Sequence, residues 1–159
     1  MNAARIALCG AMLCAGAALY AKPAPRAAAP SPQDIVTTRQ AGMDMAASTL
    51  TLLKNASANG APLKTLVFPA SSLAKFAGVM PALFSDNTKG LPSRARPSVW
   101  TDRVGFQAKA AVFAGAAKAL TAAAAAEDKP AFDAVLASLG ASCKGCHDSY
   151  QLPPPAKPG

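Results

Sequence analysis

Apolar residues recur at intervals of three and four along four separate stretches of this chain, which is the spacing of one helix face. The first stretch follows a helix-start signal, in which Ser31 can cap the helix and Pro32 suits the first helical position. The third stretch has the most regular seam, and the fourth ends at a proline-rich segment. We therefore predict helices over about 32–55, 63–84, 98–128 and 130–152.

Two prolines complicate the second stretch. Pro69 should interrupt or delay the helix, with Ser71 as its cap, and Pro81 should bend the helix or end it early. The connection over 55–62 is short, whereas 85–97 forms a long polar connection. Four helices with two short connections predict an all-α fold, an up-down antiparallel four-helix bundle.

The composition agrees with helices, because alanine runs dominate and aromatic residues make up only 6% of the chain. Sixteen Lys and Arg against eight Asp and Glu give a net charge of +8, which indicates acidic partners. The charge is spread along the chain, with SRAR at 93–96 as the one local cluster. A nucleic-acid interface needs a dense basic stripe with stacking aromatics, so we expect no nucleic-acid partner.

The N-terminal segment over 1–21 has the layout of a secretory signal peptide, with Arg5, an apolar run and small residues ending at Ala21. The run is about 15 residues, and a membrane span needs about 20, so we expect cleavage and export to the periplasm rather than membrane insertion. An uncleaved anchor is the alternative. Cys9 and Cys14 each follow Leu, which argues against a lipid anchor. The rest divides into a flexible leader over 22–31, a helical domain over 32–152 and a Pro-rich tail over 153–159.

Cleavage after Ala21 leaves two cysteines, Cys143 and Cys146, followed directly by the only histidine, His147. The spacing C-x-x-C-H is the attachment sequence for c-type haem. On a helix these three residues share one face, so the two thiols can reach the vinyl groups along one porphyrin edge while His147 ligates the iron. We expect one covalently attached haem c in the bundle core.

Four rival interpretations of these residues have less support. A thioredoxin-like redox pair would need a strand–helix–strand setting, and a structural zinc site would need four ligands. A chance match on a surface helix would leave a non-haem helical interaction module. A peroxidase-like enzyme would need a distal acid–base group, and the chain has no second histidine, so we expect no enzymatic activity.

Three stretches also resemble a known family: IVTTRQAGM at 35–43, ARPSVWTDRVGF at 95–106 and GASCKGCHDSY at 140–150. Over about residues 32–151 the chain is similar to the class II cytochromes c, which are the cytochrome c prime proteins and their low-spin relatives. The resemblance implies a four-helix bundle with haem held by the thioether cysteines Cys143 and Cys146. It also implies His147 as the proximal iron ligand.

The resemblance assigns further roles. It implies that Arg39 lies near a haem propionate, that Met43 covers the distal haem face, and that Trp100 and Phe106 pack around the haem and core. The residues alone would be interpreted as a solvated helix charge at Arg39 and as core filler at Met43 and Phe106. Many members carry Arg or Lys where this chain has Gln151, so proximal gas chemistry that depends on that cation is in doubt here.

Two functions follow from these expectations. If Met43 ligates the iron, His/Met coordination favours an electron carrier that docks on a redox partner with an acidic surface. If Met43 only covers the distal face, the five-coordinate iron binds NO or CO. We favour electron transfer and keep gas binding as the alternative. Family members commonly pair through their first two helices, which leaves a homodimer open.

Overall fold

The computed structural model describes residues 28–155, and within them the fold is all-α. The predicted signal peptide over 1–21, most of the leader and the end of the tail lie outside the described residues. The long helices are α1 (Pro32–Ala58), α2 (Leu63–Val79), α3 (Arg103–Ala125) and α4 (Lys129–Tyr150). They form the expected antiparallel four-helix bundle. Short 3-10 turns at Met80–Leu83 and Asp86–Thr88 and a one-turn helix at Ser98–Thr101 fill the long connection.

Helix α1 begins where the sequence signal places it. The backbone N–H of Asp34 donates to the Ser31 hydroxyl at 3.1 Å, and the Ser31 N–H donates back to the Asp34 carboxylate at 2.9 Å. The helix runs to Ala58, slightly past the predicted end at about residue 55. Ser57 explains the extension, because this buried hydroxyl donates to the Asp133 carboxylate of α4 at 2.6 Å.

The prediction at Pro69 is wrong. Helix α2 starts at Leu63 and passes through Pro69 without interruption. Ser71 is not a cap, since its hydroxyl donates to the Phe68 carbonyl at 2.9 Å. Leu66 and Leu73 are both 4% exposed on either side of the proline, so burial of that face outweighs the lost backbone hydrogen bond. The second expectation is confirmed: α2 ends at Val79, just before Pro81.

The predicted start of the third helix near Ser98 is also corrected. The one-turn helix Ser98–Thr101 stops at Asp102, whose backbone angles (φ −115°, ψ 61°) are not helical. The Asp102 carboxylate accepts the backbone N–H of Gly105 at 3.1 Å and thereby caps α3, which begins at Arg103. The Asp102 cap therefore separates two helices where the continuous apolar pattern predicted a single one.

Helix α3 is the centre of the packing, with α2 on one side and α4 on the other. Its buried residues include Phe106, Phe113, Ala117 and Leu120. Helix α1 packs against α2 more extensively than against α4, so the α1–α4 side is the loosest part of the bundle. The slot on that side is the place where the sequence-predicted site residues come together.

Candidate haem site

Two adjoining cavities of about 360 and 110 Å³ form a slot between α1 and α4. We call this space the α1–α4 slot. Both cavities are bordered by the same four side chains, two from α4 and two sulfur-containing side chains from elsewhere in the bundle: Cys146, His147, Met43 and Met80. The remaining walls are mostly apolar, and polar groups concentrate in the larger cavity.

The α4 wall carries the C-x-x-C-H residues. Cys143 and Cys146 are half-buried free thiols, and burial raises the pKa of both. His147 lies beside them and keeps its imidazole in contact with solvent. Burial of part of its ring, followed by the nearby positive charge of Arg94, lowers the pKa of His147. The neutral imidazole that this favours is the form that binds a metal.

The α1 wall is apolar along the smaller cavity, whereas Gln40 and Asp44 add polar groups to it in the larger one. Met43 is half-buried and borders both cavities, while Ala46, Ala47 and Leu50 continue the same wall in the smaller cavity. Met43 and His147 thus approach the slot from opposite helices. The structure therefore brings together the two side chains that the resemblance assigned to opposite faces of the haem.

Arg39 closes one end of the larger cavity as a buried cation. It is 3% exposed, and burial lowers the pKa of its guanidinium. The guanidinium donates to the Leu83 carbonyl at 3.2 Å, the Thr88 hydroxyl at 3.0 Å and the Ser93 hydroxyl at 2.9 Å. None of these partners is a carboxylate, so the positive charge has no counter-ion among the described residues. The interpretation of Arg39 as a solvated helix charge is wrong.

The two predicted aromatic residues, Phe106 and Trp100, occupy different positions relative to the cavities. Phe106 is 2% exposed, borders the larger cavity and packs edge-to-face against Phe84, with ring centroids 4.9 Å apart. Trp100 does not border either cavity. Its indole N–H donates to the Ser85 carbonyl at 3.2 Å, and its ring lies 5.9 Å from the Arg39 guanidinium. Trp100 therefore contacts the site through Arg39.

Sequence reasoning missed several residues of the slot. Met80 is 2% exposed and borders both cavities, although its place in the second apolar stretch, predicted as a helix over 63–84, suggested only core packing. Arg94 borders the larger cavity and donates to the Leu152 carbonyl at 2.9 Å from Nε and 2.7 Å from Nη2. The basic cluster SRAR was the available signal for Arg94. Gln151 also borders the larger cavity, and the positive charge close to His147 is that of the loop residue Arg94.

The described residues fit a covalently bound haem. A flat apolar cofactor matches the apolar walls, and the two thiols stand on the same wall as a metal-binding imidazole. The unpaired Arg39 charge suits an acidic group on the cofactor, because a buried cation without a counter-ion is costly. Haem propionates are such groups.

Comparisons with known proteins identify the family of this chain. The family model described as Cytochrome C' matches residues 34–151. Cytochrome c' from Alcaligenes xylosoxydans xylosoxydans is 33% identical over 122 residues, covering 76% of this chain and 94% of that protein. Cytochrome c' from Pararhodospirillum photometricum is 39% identical over 83 residues, covering 52% of this chain and 66% of that protein.

Solved structures show the same fold. A nitric oxide complex of a point mutant of cytochrome c prime from Alcaligenes xylosoxidans has a TM-score of 0.71 and 30% identity, covering 77% of this chain and 98% of that one. Cytochrome c' from Thermochromatium tepidum has a TM-score of 0.73 and 29% identity, covering 79% of this chain and 100% of that one. The chain therefore belongs to the cytochrome c prime family and carries haem c bound covalently through Cys143 and Cys146.

Proposed function

We propose that this protein is an exported single-electron carrier in which His147 and Met43 ligate the haem iron from opposite faces. The observation that carries the proposal is the shared border of the two cavities, where Met43 on α1 and His147 on α4 face one slot. The bound haem supplies a metal that changes its charge by one electron. His/Met ligation is the arrangement of electron-transfer cytochromes c, and it raises the reduction potential.

Several residues of the chain contribute to haem binding, each in a different way. Cys143 and Cys146 tether one edge of the haem, and the depressed pKa of His147 keeps its imidazole in the ligating form. Arg39 holds a buried positive charge for a propionate, and Phe106 packs against the haem from the core. Trp100 supports this arrangement by packing on Arg39. The arrangement offers binding and electron exchange without a second histidine for acid–base chemistry, so we propose a carrier and not an enzyme.

The proposed location is the periplasm, and it rests on the signal-peptide pattern over 1–21. We also propose that the functional domain spans 32–152, since the family match covers 34–151 and the helices span Pro32 to Tyr150. The leader over 22–31 and the tail over 153–159 flank this domain.

The second candidate function is binding of NO or CO. One relative with the same fold was solved as a nitric oxide complex, which favours a haem with an open distal face. In the smaller cavity Met43 has the apolar neighbours Ala46, Leu50 and Leu73, and an apolar distal pocket admits uncharged diatomic gases. In this case Met43 would cover the iron without ligating it.

Absorption spectra of the holoprotein test both functions, using Met43→Ala and the matched control Met80→Ala. Both methionines border both cavities, but only Met43 lies on α1 opposite His147. For an electron carrier we expect sharp, split visible bands in the dithionite-reduced wild type, insensitive to CO. Met43→Ala should lose those bands and bind CO, whereas Met80→Ala should keep them.

The opposite result would overturn Met43 ligation. A broad high-spin spectrum that shifts at once with CO or NO, and that is the same in wild type and Met43→Ala, would establish the gas-binding function. Loss of the split bands in Met80→Ala but not in Met43→Ala would show that Met80, and not Met43, is the sixth ligand.

A further inference from the structure

Two lysines from different helices lie against the haem-attachment segment of α4. Lys54 comes from α1, and its Nζ would be 3.5 Å from a Cβ placed on Gly140, three residues before Cys143. Lys109 comes from α3, and its Nζ would be 3.7 Å from a Cβ placed on Gly145, next to Cys146. The two glycines leave room for these ammonium groups beside the α4 backbone.

Neither lysine is neutralised within the described part of the chain. The ion pairs found there join Lys64 to Glu127, Lys129 to Asp133 and Lys144 to Asp148. Lys54 and Lys109 are exposed and appear in none of them. Lys144, the lysine within the C-x-x-C-H segment itself, is paired with Asp148 at 2.7 Å. The free positive charge near the thioether cysteines therefore comes from the neighbouring helices.

We propose that Lys54 and Lys109, which we call the lysine pair, form the docking surface for an acidic redox protein. This inference rests on the proposed electron-carrier function. Carboxylates on the partner would contact the lysine pair and bring the partner's redox centre to the edge of the haem held by Cys143 and Cys146. One electron then passes between the two proteins, and no atom or proton is transferred.

The charge arrangement favours a protein over a membrane as the partner. Segments that bind anionic lipid carry clusters of four to eight basic residues, whereas this surface has two free cations with a neutralised pair at Lys144 and Asp148. Two separated charges suit an oriented, short-lived protein complex whose association rate depends on salt. Such complexes are suited to rapid electron exchange.

The test compares two double charge reversals in the holoprotein. Lys54→Glu/Lys109→Glu removes the lysine pair, and Lys75→Glu/Lys118→Glu makes the same change in net charge at two exposed lysines elsewhere. Lys118 lies nine residues beyond Lys109 on α3, about 13 Å along the helix axis. The probe is reduced flavodoxin of net negative charge, and the readout is the second-order rate of haem reduction.

At low ionic strength we expect the first double variant to react about tenfold more slowly than wild type, and the control variant to slow by less than about threefold. The difference should shrink at high salt because exposed charges are screened. A second readout does not depend on electron transfer. Carbodiimide cross-linking of wild type to flavodoxin, mapped by mass spectrometry, should join flavodoxin carboxylates to Lys54 and Lys109 in preference to Lys75 and Lys118.

Three results would overturn the lysine pair as the docking surface. One is equal slowing of both double variants, which would mean that only net charge matters. Another is cross-linking mainly through Lys75 or Lys118. The third is loss of binding to phosphatidylglycerol vesicles in the first variant with no change toward flavodoxin, which would identify a lipid surface. If flavodoxin cross-links at the lysine pair but reduces no haem, the electron-carrier function fails and the docking surface stands.

Discussion

The α2–α3 side and the α1–α4 side of the same bundle differ in how they use small and large residues. Between α2 and α3, the buried alanines Ala70, Ala77 and Ala117 are at most 1% exposed and let the helices pack closely. Between α1 and α4, the bulky side chains of Met43 and His147 face a slot instead of interlocking. The α2–α3 side contributes the largest share of the close packing, whereas the α1–α4 side leaves a space that fits the haem.

The open slot depends on contacts behind each of its walls. On the α1 wall, a Cβ on Gly42 would overlap the Phe76 ring, so α1 sits directly on α2 at that point. On the α4 wall, the Tyr150 hydroxyl donates to Asp102 at 2.6 Å, which ties the end of α4 to the start of α3. Each wall is therefore anchored to the packed side, and the space between them remains open.

The largest effect should come from a cavity on the packed side. Leu120 is 0% exposed and borders neither cavity, so Leu120→Ala should lower the free energy of unfolding by about 2–5 kcal/mol. Leu50→Ala removes a half-buried side chain from the α1 wall of the slot, one that is not a proposed iron ligand, and should cost about 1 kcal/mol. Urea denaturation of the holoproteins measures both. Equal losses would contradict the division into a packed and an open side.

A smaller loss of stability is expected from replacing Arg39, the buried cation at one end of the larger cavity. Arg39→Leu leaves the Leu83 carbonyl and two hydroxyls without their donor, which should cost about 1–3 kcal/mol. Arg103→Leu is the matched control, since Arg103 donates to the nearby carbonyls of Phe84 and Pro81 but is only half-buried. We expect the control to lose less than about 1 kcal/mol. A larger loss of stability in Arg103→Leu than in Arg39→Leu would mean that burial of the arginine does not determine the cost of removing it.

The α1–α2 anchor can be tested with two glycines. Gly42→Ala forces a methyl group into the Phe76 ring and should destabilise the protein by about 1–3 kcal/mol. A Cβ added at Gly115 would have no neighbour within 4 Å, so Gly115→Ala should stabilise α3 by up to about 1 kcal/mol. Thermal unfolding separates the two signs. Combining Gly42→Ala with Phe76→Leu should recover much of the loss, and a failure to recover would remove Phe76 as the cause.

The α3–α4 anchor gives the smallest effect, visible as a pH dependence. The Tyr150 hydroxyl, helped by the Gly105 N–H, holds the pKa of the Asp102 carboxyl below its usual range, and the same hydrogen bond raises the pKa of Tyr150 to about 12. A depressed carboxyl pKa stabilises the fold above the ordinary value of about 4, and this contribution is lost as pH falls through the folded-state pKa. The raised Tyr150 pKa stabilises the fold below about 10, and this contribution is lost as pH rises through about 12.

Tyr150→Phe should therefore lower the Tm most between about pH 5 and 9, and the two proteins should converge toward pH 2. Scanning calorimetry across this range measures the difference. A constant difference in Tm from about pH 2 to 7 would show that packing, and not the hydrogen bond, accounts for the loss.

The sequence predicted most of the fold because the helices depend on local patterns. The three- and four-residue spacing, the Ser31 cap and the short connections were sufficient for the bundle. The two errors arose where tertiary contacts changed a local preference. Burial on both sides of Pro69 kept α2 continuous, and the Asp102 contacts with Gly105 and Tyr150 divided the third helix.

The site was predictable to the extent that its chemistry lies within one motif. Cys143, Cys146 and His147 lie within five consecutive residues, so their spacing predicted the haem attachment. Arg39 differs, because its partners Thr88 and Ser93 lie in the long connection, and only the family resemblance indicated a role for it. The Arg39 hydrogen bonds span 44 to 54 residues of sequence, and no local pattern contains that information.

The contact of Gly42 with Phe76 also has an evolutionary consequence. Because the neighbouring backbone is fixed against α2, a change at residue 43 alters the size and chemistry of the slot while the α1 helix keeps its place. Under the proposed function, a single codon change at residue 43 would convert an iron ligand into a cover of the distal face, or a large cover into a small one, without redesign of the bundle.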